Sequence, residues 1–299
     1  MIERAGAVHG NTALLAAERA EDAALLGQFF ARHERWFVLT GAGCSTESGI
    51  PAYRDENGVW KHRSPIQYDA FRTEEAVRQR YWARSFVGFE RMRSAPCNAA
   101  HHALAELEKL GRVEVLATQN VDGLHQKAGS RAVIDLHGQL ARVTCLTCRA
   151  ELERTSLQVL LEAQNPGLVK ARQLGPAPDG DAELDAEYYR HVQVPACAAC
   201  GGILKPAVVF YGETVPPERV AKTYAALERA DAMLIVGSSL SVFSGYRFAR
   251  RAHQQNKPIV VVNTGMTRAD GFAALKLEGP CAALLRRAVT PLSAVGVRP

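Results

Sequence analysis

The sequence predicts an α/β fold in which helices cover both faces of one parallel sheet. Apolar runs at residues 36–39, 232–236 and 258–262 have the length and composition of strands buried on both sides, and residues 113–118 and 133–136 are also predicted as strands. Segments with helical periodicity alternate with several of these runs, which is typical of a parallel sheet. The 299 residues, of which 47% are hydrophobic, suit one large domain with an insertion or two domains.

A glycine-rich segment follows the first predicted strand. Gly41 and Gly43 allow backbone angles that side chains forbid and let a ligand approach the main chain. A strand, a glycine turn and a helix would point backbone N–H groups and a helix dipole at a phosphate. The segment lacks the third small residue of the GxGxxG pattern, and Pro51 should end any helix quickly. The glycine spacing alone therefore leaves a nucleotide site and a plain tight turn open.

Small and polar residues also follow the other predicted strands. They are Gln119–Asp122, His137, Gly237–Ser239 and Asn263–Gly265. Asn and Asp often form turns by bonding to their own backbone, and a single histidine after a strand is more often structural. Open α/β sheets nevertheless bind ligands at the carboxyl ends of their strands. Because several such ends occur in one chain, we expect a shared crevice at that edge.

Four of the seven cysteines form two Cys-x-x-Cys pairs. The pairs are Cys145 with Cys148, and Cys197 with Cys200. This spacing is typical of a metal site in a reducing compartment and not of a disulfide scaffold. Four thiolates complete the tetrahedral shell of Zn²⁺ and leave no position for a substrate. We therefore predict one structural zinc ion per chain.

The charge balance and the hydropathy exclude several classes of protein. The net charge of +5 is mild and no dense run of Lys or Arg occurs, so a nucleic-acid partner is not indicated. No apolar run approaches the roughly 18 residues that span a bilayer. Residues 1–30 alternate charged residues with Ala and Leu and lack the pattern of a signal peptide. We expect a helix there, no membrane association and a cytoplasmic location.

The strands and the cysteine pairs predict the domain organisation. Residues 1–60, 98–141 and 206–299 are expected to form a Rossmann-like nucleotide-binding domain. Residues 61–97, which are rich in Arg and aromatic side chains, form a helical insertion. Residues 142–205 form the zinc-binding module. The last two segments together make up a smaller domain.

Two side chains of the helical insertion are candidates for contact with a polar ligand. Tyr81 and Arg84 lie three positions apart and therefore on one face of a helix. A phenol and a guanidinium on one face suit a carboxylate or another polar acyl end. The alternative is a surface stripe beside a core formed by Trp82 and Phe86.

Taken together, the motifs resemble the sirtuin family of NAD-dependent protein-lysine deacylases. The resemblance covers roughly residues 20–290. It rests on the two cysteine pairs and on GAGCSTESGIPAYR at 41–54, TQNVD at 118–122, HG at 137–138, VVFYGE at 208–213, VGSSL at 236–240 and VNTG at 262–265. RYWARSF at 80–86 and APDGD at 177–181 resemble the class II branch that includes sirtuin four.

The resemblance implies a reaction and a role for each matching residue. An acyl group would pass from lysine to the ADP-ribose part of NAD, releasing nicotinamide and 2′-O-acyl-ADP-ribose. His137 would be the catalytic base, with Asn120 acting beside it on the nicotinamide. The implied NAD contacts are Gly41, Ala42, Gly43, Ser45, Ile50, Pro51, Tyr53, Arg54, Trp60, Gln119, Asn120, Val121, Asp122, Gly237, Ser238, Ser239, Asn263, Thr264, Gly265 and Cys281. The implied contacts with the acyl-lysine peptide are Tyr81, Arg84, Val208, Val209, Phe210 and Tyr211.

Two departures from the family pattern bear on the acyl group. Tyr53 and Tyr211 stand where the family usually has phenylalanine, and each hydroxyl needs a partner if it is buried. We expect a monomeric enzyme that acts on acyl-lysine proteins, with acidic, lipoyl or long acyl groups preferred over acetyl. The alternatives are a protein mono-ADP-ribosyltransferase that uses the same NAD site and a non-enzymatic module that senses NAD.

Overall fold

The computed structural model describes residues 20–52, 65–168, 184 and 186–296. The strands within these residues are β1 (Trp36–Thr40), β2 (Val113–Thr118), β3 (Val133–Asp135), β4 (Gly138–Cys145), β5 (Glu151–Glu153), β6 (Leu204–Val208), β7 (Ala232–Val236), β8 (Ile259–Val262) and β9 (Leu275–Leu277). The helices are α1 (20–32), α2 (Tyr68–Thr73), α3 (Glu75–Ser94), α4 (Ala99–Lys109), α5 (Leu124–Lys127), α6 (Arg154–Gln164), α7 (Ala186–Tyr189), α8 (Pro217–Arg229), α9 (Phe243–Gln254) and α10 (Cys281–Gly296).

The predicted parallel sheet is confirmed and has six strands within the described part of the chain. The strand order is β3-β2-β1-β7-β8-β9, and every pair is parallel. The chain extends the sheet from β1 in one direction through β2 and β3, and in the other through β7 to β9. The order therefore reverses between β1 and β7, which is the point where open α/β sheets bind ligands.

Strand β1 supplies side chains to the cores on both faces of the sheet. Trp36 and Val38 pack with α1, α4 and α10, whereas Phe37 and Leu39 pack with α8 and α9. All four side chains are fully buried, and burying one such side chain stabilises a fold by about 1.5–3 kcal/mol. This two-sided burial explains why β1 reads as a continuous apolar run.

A second sheet contains the remaining three strands and is antiparallel. Its order is β5-β4-β6, and helices α3 and α6 contribute Trp82, Phe86 and Leu157 to the core beside it. The sequence predicts residues 206–213 as extended, but the strand runs from Leu204 to Val208 and joins this small sheet. Its apolar pattern could not reveal its partner, because tertiary packing selects which strands pair. The predicted boundaries at 142 and 205 lie inside β4 and β6, and the domain division stays a prediction.

Helix α4 has a side-chain cap at its N-terminus. Asn98 caps α4, since its side chain accepts hydrogen bonds from the backbone N–H groups of Ala100 and His101. Strand β9 and helix α10 are not predicted, and Pro291 lies inside α10. Among the helices of the described residues, none has the length and apolar character that a membrane crossing requires.

Candidate functional site

Backbone contact between two glycine loops forms the floor of the candidate site. The N–H of Gly43 donates to the carbonyl of Gly237 over 2.8 Å, and the N–H of Gly41 donates to Val236 over 3.0 Å. A Cβ atom on Gly237 would lie 2.2 Å from the backbone nitrogen of Cys44, and its φ of +59° also favours glycine. The loops after β1 and β7 thus fit together only when side chains are absent.

The prediction of a helix after the glycine turn is wrong. The chain instead makes two short 3-10 turns, Ala42–Cys44 and Thr46–Ser48, and Gly49 ends the second in a left-handed conformation. The glycines and Pro51 interrupt the segment too often for a regular α-helix. Any anion here would meet the N–H groups of a tight loop and not the end of a long helix.

Two cavities open at the carboxyl edge of the parallel sheet. The first has a volume of about 370 Å³ and the second of about 520 Å³. The residues that line both are Ala42, Gln119, Asn120, His137, Tyr211 and Val242. The crevice predicted from the strand ends is therefore present, and it is a pair of spaces that meet at His137.

The first cavity lies between the parallel sheet and the three-stranded sheet with helices α3 and α6, which is called the small domain below. Its predicted lining residues are Ser45, Ile50, Pro51, Tyr81, Val121, Asp122, Val208, Val209, Phe210 and Tyr211. Arg84 does not line it. Residues that the sequence analysis did not single out as ligand contacts also line it, among them Ile66, Met92 and Arg247. No spacing rule links these positions to the site, because they lie on separate elements.

The second cavity lies over the glycine loops. Its predicted lining residues are Gly41, Gly43, Gly237, Ser238, Ser239, Asn263, Thr264 and Cys281. Gly265 does not line it, and Tyr53, Arg54 and Trp60 lie outside the described residues. A wall of bare backbone, hydroxyl groups and an amide suits phosphate and ribose groups. These residues therefore fit a dinucleotide such as NAD.

His137 is fixed through both of its ring nitrogens. Nδ1 lies 2.8 Å from the backbone carbonyl of Gln119, and Nε2 lies 2.8 Å from the hydroxyl of Ser244. A carbonyl only accepts, so Nδ1 carries the proton and the lone pair is on Nε2. Burial lowers the pKa of His137, partly offset by the bond to Gln119, and Arg219 lowers it further. The ring is thus a neutral base at pH 7, with its basic nitrogen facing the cavities.

Two hydrogen bonds from its amide nitrogen hold the side chain of Asn120 and leave its carbonyl oxygen for a ligand. Its amide nitrogen donates to the carbonyl of Gly41 over 3.1 Å and to the hydroxyl of Ser45 over 3.0 Å. Ser45 in turn donates to Asp122, whose other carboxylate oxygen accepts from the N–H of Leu124. The side-chain carbonyl of Asn120 remains, and it suits the N–H groups of a carboxamide.

A buried ion pair fixes the segment after β6 beside His137. Lys205 is 3% exposed, and its ammonium lies 3.0 Å from the carboxylate of Glu213 and over the ring of Phe210. Glu213 also accepts from the N–H of Phe210, and the N–H of Val209 donates to the carbonyl of His137 over 2.7 Å. The wall of the first cavity is therefore joined directly to the candidate base.

The four predicted zinc ligands are together at one end of the small sheet. Their sulfur atoms all lie within 4.8 Å of one another, at 3.6 Å between Cys145 and Cys200 and 3.7 Å between Cys148 and Cys197. None of them is in a disulfide. Tetrahedral zinc with bonds of about 2.3 Å places its sulfur ligands about 3.8 Å apart, so the donor set fits this ion.

A second cluster, of Cys44, His101 and His125, also has ligand atoms within 4.8 Å of one another. The sequence spacing does not reveal it, because the three residues lie on different elements. The N–H of Asn98 donates to Nδ1 of His101, so the proton of that ring is on Nε2, the nitrogen that a metal would need. Burial lowers the pKa of His101 to about 4 and of His125 to about 3. The cluster fits a pair of neutral histidines and not a metal site.

Matches to known proteins identify the family. The model of the Sir2 family matches residues 41–244, which is more than half of the chain. The chain belongs to the Sir2 family.

Individual Sir2 relatives match nearly the whole chain. The NAD-dependent protein deacetylase of Xanthomonas axonopodis pv. citri is 55% identical over 266 residues, which are 89% of this chain and 90% of the relative. The mitochondrial NAD-dependent protein lipoamidase sirtuin-4 of Bos taurus is 48% identical over 263 residues, 87% of this chain and 83% of the relative. A solved Sir2 structure with a p53 peptide and NAD⁺ has a TM-score of 0.72 at 28% identity and covers 90% of this chain and 97% of that one.

We predict that this Sir2-family chain binds one zinc ion and needs it for stability. Replacing Cys148 by Ser removes one of four ligands from a module with a small core of its own, so zinc is lost and Tm falls by roughly 5–10 °C. Metal analysis of the desalted protein and thermal melting measure the two effects. Cys97→Ser, outside the cluster, is the control and keeps its zinc. A zinc-free parent protein, or full zinc content in Cys148→Ser, would contradict the assignment.

We also predict that Ser244→Ala raises the pKa of His137. The Ser244 hydroxyl donates to the lone pair on Nε2 and so stabilises the neutral ring, and its removal also admits water. NMR titration of the imidazole signals measures the change. Ser244→Thr keeps a hydroxyl and should keep the lower pKa. Ser241→Ala, which removes a hydroxyl bonded to Ser239, is the control. A pKa that stays the same or falls in Ser244→Ala would refute the arrangement.

Proposed function

We propose that the chain is an NAD-dependent protein-lysine deacylase. One observation carries the proposal: His137 and Asn120 line both cavities, so a single neutral base faces two separate ligand spaces. A transfer between two substrates needs this arrangement, because both reacting groups must reach the base at once. The names of the relatives support the same conclusion, since they include an NAD-dependent protein deacetylase and a Sir2 structure with peptide and NAD⁺.

The second cavity is the proposed NAD site. NAD supplies an electrophilic ribose carbon once nicotinamide leaves. Among the described residues that line this cavity none is Lys or Arg, so the backbone N–H of Ala42 and the hydroxyls of Ser238 and Ser239 would meet the diphosphate. The side-chain carbonyl of Asn120 would accept from the nicotinamide carboxamide and hold it beside Asp122.

The first cavity is the proposed acyl-lysine site. Ile50, Ile66, Met92 and Phe210 give it an apolar wall that suits the aliphatic chain of lysine and its acyl group. His137 would then accept a proton from a ribose hydroxyl at Nε2, after that hydroxyl displaces Ser244. The bond from Nδ1 to Gln119 would keep the ring oriented as it becomes charged.

We further propose that the acyl group is acidic, lipoyl or long, and that the chain belongs to the class II, sirtuin-four-like branch. The similarity to a sirtuin-4 lipoamidase supports both statements. The contact of Tyr81 with the first cavity supports the proposed acyl preference, whereas Arg84 does not line the cavity and enters through its spacing from Tyr81 and through the resemblance. A monomeric, cytoplasmic enzyme also remains our proposal, and the reduced cysteine pairs favour a reducing compartment.

The test of the proposed function measures nicotinamide release with NAD and peptides that carry acetyl-, succinyl-, lipoyl- or long-chain acyl-lysine. We expect release that depends on the acyl-peptide. His137→Asn should lower kcat by a factor of about 10² to 10⁴, the contribution typical of a general base, while NAD binding persists. His102→Asn, an exposed change on α4, is the matched control. Release that ignores the peptide would instead indicate ADP-ribosyl transfer or NAD hydrolysis.

The proposed acyl preference predicts a selective effect of Arg84→Met. Activity on succinyl-lysine should fall roughly tenfold, because a carboxylate loses its cation, while activity on acetyl-lysine stays near that of the parent. The ratio of kcat/KM for the two peptides is the measurement. Arg91→Met, an exposed change on the same helix, is the control. Equal losses on both peptides would exclude a role of Arg84 in acyl recognition.

A further inference from the structure

Arg247 is the one Lys or Arg among the described residues that line the first cavity. It lies on α9 three positions after Ser244, whose hydroxyl bonds to His137. Three positions are nearly one helical turn, about 4.5 Å along the axis. A positive charge thus lies one turn from the serine that bonds to the base, on the wall formed by helix α9.

The guanidinium of Arg247 has no acidic partner among the described residues. Its Nε is buried without a hydrogen-bond acceptor. The guanidinium makes a cation–π contact with the ring of Phe243, 5.0 Å from the ring centroid. Arg251, one turn further along the same helix, pairs with Glu228 over 2.9 Å. A buried donor without an acceptor is unfavourable, and a ligand with an acceptor oxygen would relieve that cost.

The acidic side chains that line the same cavity are already bonded elsewhere. Glu213 accepts from Lys205 and from the N–H of Phe210. Asp122 accepts from Ser45 and from the N–H of Leu124. The described wall of the cavity therefore holds no free carboxylate for Arg247, and a carboxylate of a bound ligand could take that place.

We propose that Arg247 binds the carboxylate of an Asp or Glu residue next to the acyl-lysine of the substrate protein, and so determines substrate specificity. The inference rests on the deacylase function proposed above. An Arg guanidinium can meet a carboxylate with two parallel hydrogen bonds, which makes the contact selective as well as attractive.

The position of Arg247 favours the peptide over the acyl group as the source of the carboxylate. Tyr81 and Phe210, whose rings lie 5.3 Å apart, mark the opposite wall, which belongs to the small domain. Arg247 instead neighbours Val242 and Phe243, which are 37% and 51% exposed and so mark the mouth of the cavity. Neighbouring residues of an extended peptide are about 3.3 Å apart, so a side chain that flanks the acyl-lysine can reach a group one helical turn beyond Ser244.

The test uses acetyl-lysine peptides that differ only by Glu or Gln at one position, scanned from two residues before the lysine to two after it. For the parent enzyme we expect kcat/KM to be about 5- to 30-fold higher with Glu at one position, and this ratio should fall at high salt. In Arg247→Met and Arg247→Gln the ratio should approach one. Arg250→Met, an exposed change on the same helix, is the control and should keep the ratio.

Three other outcomes would contradict the inference, the assignment to the peptide, or the proposed function. No preference in the parent, or a preference that persists in both Arg247 variants, refutes the inference while the deacylase proposal stands. If these variants lose discrimination between succinyl and butyryl groups but not between Glu and Gln, the carboxylate belongs to the acyl group and the peptide assignment is wrong. If the parent releases no nicotinamide with any peptide, the proposed function itself fails and the inference falls with it.

Discussion

The site depends on the close contact between the backbone loops that follow β1 and β7. These strands lie side by side at the point where the strand order reverses, which is where open α/β sheets bind ligands. Gly43 and Gly237 touch through a backbone hydrogen bond, with no room for a side chain at either position. Because the two loops pack against each other, the positions of their backbone polar groups are set by the strands that precede them.

The small domain is joined to this edge by hydrogen bonds to the backbone. Strand β4 begins at Gly138, directly after the candidate base, and pairs with β6. A Cβ atom on Gly138 would lie 1.9 Å from the carbonyl oxygen of Ala207, so only glycine allows this approach. The first cavity is therefore bounded by two sheets that meet at His137, and backbone geometry sets the position of the candidate base.

The sequence predicts those parts of the molecule that local patterns determine. Strands β1, β7 and β8 are buried on both faces, so their apolar runs are unmistakable, and the Cys-x-x-Cys spacing alone indicates the predicted zinc ligands. The pairing of β6 with β4 was not predictable, because partner choice depends on the whole fold. The contact of His137 with Ser244 joins residues 107 positions apart on separate elements, and no periodicity connects them. Helix α10 was missed because it contains a proline and its polar face is short of acids.

The hydrogen bond between Ser244 and His137 limits the access of water to the basic nitrogen. Nε2 of His137 already accepts a hydrogen bond from the hydroxyl of Ser244, so its lone pair is not free for solvent. A sugar hydroxyl can take the place of the serine only when it arrives in the right position, and the exchange replaces one hydrogen bond with another. His137 is thereby kept from activating a water molecule, which would hydrolyse the dinucleotide without deacylating a protein.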